Sequence, residues 1–174
     1  MCWRIRPGGP CRSHRPGWRS LSPTCGGRTG MAKPGGEVRR TIEEDPIAKS
    51  FGIELLELGQ GYCRARMRVR ADMLNFHGVA QAGAIFTLAD YAFAGASNSH
   101  GTRALALFMD IALRRPAFEG EELIAEASEE HLGERTALYR IDVKNAAGKL
   151  VATLQGLAFR TGEPLTKKLE RRDR

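Results

Sequence analysis

The sequence predicts an α+β fold in which a curved antiparallel sheet of five to six strands wraps around one central helix. Segments of alternating apolar and polar residues flank one long segment that has no polar face, and most of these segments follow one another on short turns. Consecutive strands joined in this way pair antiparallel, and an apolar helix must be covered by a sheet. The length of 174 residues suits one domain with a sizeable core.

The N-terminal segment, residues 1–40, is predicted to be a disordered basic extension. Residues 1–30 carry six of the 27 basic residues and none of the 20 acidic residues, so the rest of the chain has a net charge of 21 − 20 = +1. Proline and glycine throughout this segment leave it no apolar face for a core. Three interpretations stay open: a stretch translated upstream of a true start at Met31, a disordered arm, or a targeting segment.

The first elements expected in the body are a short helix and two strands. The helix is expected from Glu43 to Phe51, with Pro46 in its first turn, and the first strand from Ile53 to Leu58. The second strand, GYCRARMRVR, alternates cleanly and is half-buried. One side carries Cys63, Ala65, Met67 and Val69, and the other carries Arg64, Arg66, Arg68 and Arg70.

The central helix is predicted between Gly83 and Ser99. Up to Ala96 its only polar groups are Thr87, Asp90 and the hydroxyl of Tyr91. A helix that is apolar on all sides is surrounded by protein. The helix spans about 25 Å, which is too short for a membrane helix. It is also too acidic for one.

Four further strands are expected after the helix. The first lies within RALALFMDIALRRP and stops at Pro116; ELIAEAS, RTALYRIDVKN and LVATLQGLAF follow. The residues expected to share a face are Leu105, Leu107, Met109, Ile111 and Leu113 in the first, Leu123, Ala125 and Ala127 in the second, and Ala137, Tyr139, Ile141 and Val143 in the third. The folded domain is therefore predicted over residues 41–162, with a charged tail over 163–174.

The residues before and within the central helix carry a recognisable motif. Asn75 and Gly78 precede Gln81-Ala82-Gly83 at the start of the helix, and Asp90 follows seven positions later. This order resembles the phenylacetyl-coenzyme A type of hotdog thioesterase, in which Asn, Gly and His-Gly-Gly precede an acidic residue at the same spacing. The resemblance covers about residues 45–160, and it implies a hotdog fold and hydrolysis of acyl-coenzyme A thioesters without a cofactor.

Asp90 is the expected catalytic acid of this motif. Thioester hydrolysis needs a nucleophile or general base together with donors for the developing oxyanion, and the open N–H groups of a helix N-terminus make Gly83 a candidate donor. The carboxylate of Asp90 is too far along its own helix to reach that site, so it is expected to meet Gly83 of a second subunit, as the resemblance implies. Asp90 is either the nucleophile or the base that activates water; the alternative is a structural hydrogen bond within the core.

The remaining site residues are assigned from the motif and its departures. Gln81 stands where the family has His, so it can donate a hydrogen bond to the thioester carbonyl but cannot carry a proton, and Ala82 replaces the first Gly. His77 is a candidate for a contact with the substrate or with Asp90; the alternative is a surface histidine without a role in the site. Asn75 is expected to order its loop, with a contact to the acyl group or to water as the second possibility.

Two further parts of the substrate need partners. Arg115, beside Arg114, is the candidate for the phosphates of coenzyme A, with the stripe Arg64–Arg70 as another possibility. The alternative for each of these arginines is a place on a solvated strand face. The acyl group is expected between helix and sheet. The aromatic residues near that place are Phe86, Phe93 and Phe108, which serve the core first.

The sequence thus favours a cytoplasmic acyl-coenzyme A thioesterase that acts on small aromatic or medium-chain acyl groups as a homodimer or dimer of dimers. Only Cys63 lies in the body, which suits a reducing compartment, and His100 and His131 have no metal partner at ligand spacing. No metal, organic cofactor, nucleic acid or membrane is expected as a partner. The alternatives are an acyl-coenzyme A-binding regulator without hydrolysis and, more remotely, nucleic-acid binding through the basic segment.

Overall fold

The computed structural model describes residues 33–166, so the predicted extension up to residue 32 and the tail beyond 166 lie outside the described residues. Two short helices come first and one long helix divides the strands into sets of two and four. The elements are α1 (Gly36–Glu43), α2 (Pro46–Phe51), β1 (Glu54–Gly59), β2 (Tyr62–Arg68), a 3-10 turn (Ala71–Met73), α3 (Ala82–Asn98), β3 (Thr102–Leu113), β4 (Glu122–Leu132), β5 (Thr136–Asn145) and β6 (Leu150–Pro164).

The strands form one antiparallel sheet in the order β1-β2-β4-β5-β6-β3. Helix α3 packs across the concave side and contacts every strand of this sheet. The predicted antiparallel sheet around one central helix is therefore confirmed. Strands β1 and β3 form the two edges, which leaves one side of each without a backbone partner among the described residues.

The core lies between α3 and the inward side chains of β2, β4 and β5, and the predicted inward faces of these three strands are confirmed. Two close approaches depend on glycine. A Cβ at Gly95 of α3 would lie 2.5 Å from Cys63 Sγ on β2, and a Cβ at Gly156 of β6 would lie 2.8 Å from the ring of Phe93. Both glycines allow the helix to pack directly on the sheet.

The N-terminal helices differ from the prediction. Helix α1 begins at Gly36, inside the segment expected to be disordered, and its Ile42 is buried in the core. The helix expected from Glu43 begins only at Pro46, because Asp45 caps it and accepts hydrogen bonds from the N–H groups of Ile47 and Ala48 at 2.7 and 3.0 Å. Proline suits the first helical position, whose N–H has no intrahelical partner.

The leucines of β3 do not all lie on the one face that the sequence predicts. A bulge between Ala106 and Phe108 leaves Leu107 as an extra residue opposite β6. Because side chains alternate across a strand, one extra residue moves the segment before it to the other face. Leu105 therefore faces outward beside Phe159, whereas Met109 pairs with Gly156 of the inward set, and the prediction of one shared face is wrong.

Candidate active site

The N-terminus of α3 presents one occupied and one open backbone donor. The Oε1 atom of Gln81, the N-cap residue, accepts a hydrogen bond from the N–H of Gly83. The N–H of Ala82 has no hydrogen-bond partner among residues 33–166. The donor predicted at Gly83 is thus already used within the chain, and the neighbouring Ala82 supplies the open donor.

The contact with Gly83 also fixes the orientation of the Gln81 carboxamide. Only the oxygen of a carboxamide can accept a hydrogen bond from an N–H group. The Nε2 amino group of Gln81 must therefore lie on the opposite side of the planar carboxamide. This amino group has no partner in the described part of the chain. Gln81 therefore holds a second donor close to the N–H of Ala82.

The loop before α3 is fixed by Asn75. Its Oδ1 accepts hydrogen bonds from the N–H groups of His77 and Val79 at 2.9 and 3.4 Å, while its own N–H donates to the Val79 carbonyl at 2.8 Å. Gly78 has a φ of +76°, a conformation that favours glycine. Asn75 orders the loop in the way expected from its side chain.

A pocket of about 340 Å³ opens beside this loop and the start of α3. It is bounded on the far side by the end of β3 and the segment after it. Arg115 lines the pocket, and its Nη1 donates to the Leu150 carbonyl at 2.9 Å. The lining residues include Asn75, Val79, Ala82, Leu113, Arg114 and Arg115. Three predicted features, the loop asparagine, the helix start and the arginine pair, therefore meet at one cavity.

Asp90 lies on a face of α3 that the sheet does not cover, which we term the open face. Seven residues separate Asp90 from Gly83, or about 10 Å along the axis, so the carboxylate cannot reach a group held at the N-terminus of its own helix. Asp90 has no hydrogen-bond or ion-pair partner among residues 33–166. The open face consists of Gly83, Phe86, Thr87, Asp90 and Ala94, all exposed or half-buried.

The surroundings of Asp90 disfavour its charge. Burial raises the pKa of the Asp90 carboxyl group above its usual value, and the negative charge of Asp45 at the start of α2 raises it further. No cation offsets these two effects in the described part of the chain. A half-buried acid without a partner is costly for a fold, which favours a functional over a structural role for Asp90.

Several predicted contacts do not form within one chain. His77 is exposed and makes no hydrogen bond to Asp90; its ring packs against Phe76 in a tilted arrangement. The arginine stripe of β2 is largely neutralised, because Arg66 pairs with Glu54 at 2.7 Å and Arg70 pairs with Asp72 at 2.9 Å. The stripe is therefore a poorer phosphate site than Arg114 and Arg115.

Other polar groups lie away from the pocket. At the opposite end of α3, Glu129 accepts a hydrogen bond from the Tyr139 hydroxyl at 2.8 Å and contacts His100 at 2.7 Å. Between residues 33 and 166, no three His, Cys, Asp or Glu side chains converge as a metal site would require. In the same range, no helix has both the length and the apolar character needed to cross a bilayer.

Comparison with known proteins identifies the family. Residues 77–152 match the model of the thioesterase superfamily. The acyl-coenzyme A thioesterase PaaI of Escherichia coli K12 is 40% identical over 124 residues, which cover 71% of this chain and 89% of that protein. The chain belongs to the thioesterase superfamily. The thioesterase therefore acts as a thioester hydrolase of the acyl-coenzyme A class, as predicted from the motif.

Solved structures agree with this assignment. The structure of the E. coli PaaI protein matches the thioesterase with a TM-score of 0.71 at 38% identity, over 72% of this chain and 91% of that one. A Streptococcus mutans UA159 protein solved with bound acetyl-coenzyme A matches with a TM-score of 0.63 at 27% identity, over 64% and 90%. The predicted hotdog fold is confirmed by these matches and by the sheet order.

Ala82 holds the open donor that the sequence did not single out. In the sequence it stands out only as a departure from the family motif, in which Gly83 is the expected donor. The signal was present in the sequence: Gln81 is a side chain able to cap a helix, and a cap accepts from the second or third N–H and leaves the first one open. The first helical position after Gln81 is Ala82.

Proposed function

We propose that this thioesterase hydrolyses small aromatic or medium-chain acyl-coenzyme A esters at a site shared by two copies of the chain. The observation that carries this proposal is the separation of Asp90 from the open donor at Ala82 on one rigid helix. With a second copy, Asp90 of one chain can lie against the α3 N-terminus of the other. Neither chain then holds a complete site.

Two uncovered surfaces support pairing with a second copy. The edge strand β3 exposes large apolar side chains, with Leu107 58% and Phe108 60% exposed. Long apolar edge strands invite pairing with another strand, and the open face of α3 adds small residues against which a second helix can pack. A twofold arrangement places both surfaces in one interface, and a dimer of two such dimers is compatible with it.

The donors of the proposed oxyanion hole are the N–H of Ala82 and the amino group of Gln81. The thioester oxygen gains negative charge when the carbonyl carbon is attacked, and fixed donors near a positive helix end stabilise that charge. The contact between Gln81 and Gly83 holds the amino group in place before the substrate arrives. Gly83 therefore acts on the substrate through Gln81.

Asp90 can promote attack on the thioester carbon in either of two ways. Its carboxylate can attack the thioester carbon, which forms a mixed anhydride and releases the coenzyme A thiolate, and water then cleaves the anhydride. Alternatively, Asp90 removes a proton from water as the water oxygen attacks that carbon. Both routes consume one water and give the free acid and the thiol.

The rest of the substrate is assigned to the pocket. Arg115, with Arg114, is proposed to bind the phosphates of coenzyme A. Asn75, which lines the same pocket, and the nearby His77 are proposed to contact the rest of the substrate. The related S. mutans protein was solved with acetyl-coenzyme A, which supports a site of this kind. A cytoplasmic setting fits the free, buried Cys63, whose thiol pKa is raised to about 12 by burial.

The test is release of free thiol from a panel of acyl-coenzyme A esters by the wild type, by Asp90→Asn and by the control Asp142→Asn. Asp90→Asn is expected to lower turnover by at least about 100-fold. The pKa of Asp90 is raised in the folded chain, so ionisation of Asp90 above that pKa lowers the free energy of unfolding. Asn cannot ionise, so the melting temperature of Asp90→Asn should be no lower than that of the wild type. Wild-type turnover in Asp90→Asn would contradict the assignment, and tight binding without thiol release by the wild type would indicate a regulator.

A further inference from the structure

Thr87 lies three residues before Asp90 on the open face of α3, where it is half-buried. Side chains three residues apart on a helix are neighbours, with about 5–6 Å between their Cβ atoms. The Cα–Cβ bonds of a helix tilt toward its N-terminus, so the carboxyl group of Asp90 leans toward the turn that holds Thr87. The two side chains therefore border the same small area of the open face.

The hydroxyl group of Thr87 has already committed its only proton. Its Oγ1 donates to the Gly83 carbonyl at 2.8 Å, and a hydroxyl group has one donor and two acceptor lone pairs. Toward any further group, the Oγ1 atom of Thr87 is therefore an acceptor only. An ionised Asp90 is likewise an acceptor only.

Two neighbouring acceptors call for a donor that can serve both. Among residues 33–166, no group donates a hydrogen bond to the Asp90 carboxylate or to the Thr87 hydroxyl. Two oxygen atoms that accept from the same water are about 4.5 Å apart, which is compatible with side chains in neighbouring turns of a helix. Water has the two O–H donors that this pair can accept, and it is also a reactant in thioester hydrolysis.

We propose that Thr87 and Asp90 of one chain together hold the water that attacks the thioester carbon. This inference rests on the proposed function, because it requires Asp90 as the catalytic acid, and it selects the general-base route over direct attack by Asp90. As the water oxygen bonds to the thioester carbon, Asp90 takes one proton, while the other stays on that oxygen and is hydrogen-bonded to Thr87. When the C–S bond breaks, Asp90 returns its proton to the thiolate, which gives the free acid and the thiol. Thr87 keeps its own proton throughout.

Thr87→Val tests the second acceptor, because valine has nearly the shape of threonine but lacks the oxygen. Its kcat for phenylacetyl-coenzyme A should fall about tenfold at unchanged KM, which is the loss expected for one hydrogen bond to the reacting water. Thr87→Ser keeps the hydroxyl group and should retain most of the wild-type kcat. The matched control is Thr41→Val, since the exposed Thr41 of α1 makes the same kind of bond, from Oγ1 to the Glu37 carbonyl at 3.0 Å. This control should keep wild-type kinetics.

Competition with methanol separates a contact with water from an effect on the fold. Methanol has a single O–H group, so it can donate to Asp90 but not to Thr87 as well. When the reaction runs in buffer that contains methanol, the ratio of methyl ester to free acid should therefore rise about tenfold in Thr87→Val, because only hydrolysis loses a hydrogen bond. Thr87→Ser leaves more room than threonine but keeps the oxygen, so it should give the wild-type ratio.

Three results would overturn the inference. They are a wild-type kcat in Thr87→Val, an equal fall of hydrolysis and methanolysis in that variant, and a loss of activity in Thr87→Ser as large as in Thr87→Val. In each case an inactive Asp90→Asn would leave the proposed function standing. Absence of thiol release by the wild type, or full turnover by Asp90→Asn, would instead refute the proposed function itself.

Discussion

At the scale of single residues, Asp90 combines two demands that conflict. The proposed reaction needs an ionised Asp90 carboxylate, yet burial and Asp45 both raise the pKa of that group and so favour its protonated form. In the sequence, Asp90 is recognisable by its spacing from Gly83 and by the apolar residues around it. Sequence could not reveal the influence of Asp45, because that depends on how α2 packs against α3.

Replacing Asp45 with Asn should move the acid limb of the pH profile of kcat/KM to lower pH. Asn can still cap α2, but it removes the negative charge that raises the pKa of Asp90, so Asp90 ionises at a lower pH. The measurement is thiol release from one ester across the acidic range. Glu44→Gln, which neutralises the neighbouring acid, is the control and should leave the profile in place; an unmoved limb in Asp45→Asn would show that Asp90 does not limit the rate at low pH.

Gln81 tests the proposed oxyanion donors at the same scale. Gln81→Ala removes the amino group and leaves the backbone donors, so kcat should fall about 10- to 100-fold with a smaller change in KM. Gln155→Ala, on the outer face of β6, serves as the control and should retain wild-type kinetics. A kcat for Gln81→Ala equal to that of the wild type would remove Gln81 from the reaction and leave Ala82 as the donor.

At the scale of elements, strands with one buried face were predictable and the edge strand was not. Alternation predicted β2, β4 and β5 because each has one side in the core and the other in water. In β3 the bulge at Leu107 shifts the alternation, and no proline or glycine marks it. Helix α1 was not predicted, because proline and glycine throughout residues 1–40 indicated a disordered segment without an apolar face.

Phe108→Lys tests the edge of β3 as a subunit contact. A charge on an apolar edge strand opposes pairing with another strand, so the variant should elute as a monomer and lose thiol release together with dimerisation. Leu132→Lys, at the exposed end of β4, is the matched control and should remain dimeric and active. A fully active monomer of Phe108→Lys would show that one chain suffices for the reaction.

At the scale of the whole molecule, the sequence predicted the architecture more fully than the site. The buried helix between two strands and four strands determines how a sheet can wrap around it, whereas a shared site depends on how two copies meet. The sequence predicts α3 to be apolar on all sides, whereas residues 33–166 leave one of those sides uncovered. That uncovered side supports the proposed pairing of two copies of the chain.

Complementation between two inactive variants tests the shared site most directly. Asp90→Asn lacks the acid, and Ala82→Pro lacks the open donor but should keep the helix, because proline suits the first helical position and Gln81 is already extended, with ψ of 137°. Each variant alone should be inactive in the thiol-release assay. Chains mixed by co-expression should recover about a quarter of wild-type activity, since about half of the dimers are mixed and each of these has one intact site. No recovery in a preparation shown by mass spectrometry to contain mixed dimers would contradict a site built from two chains.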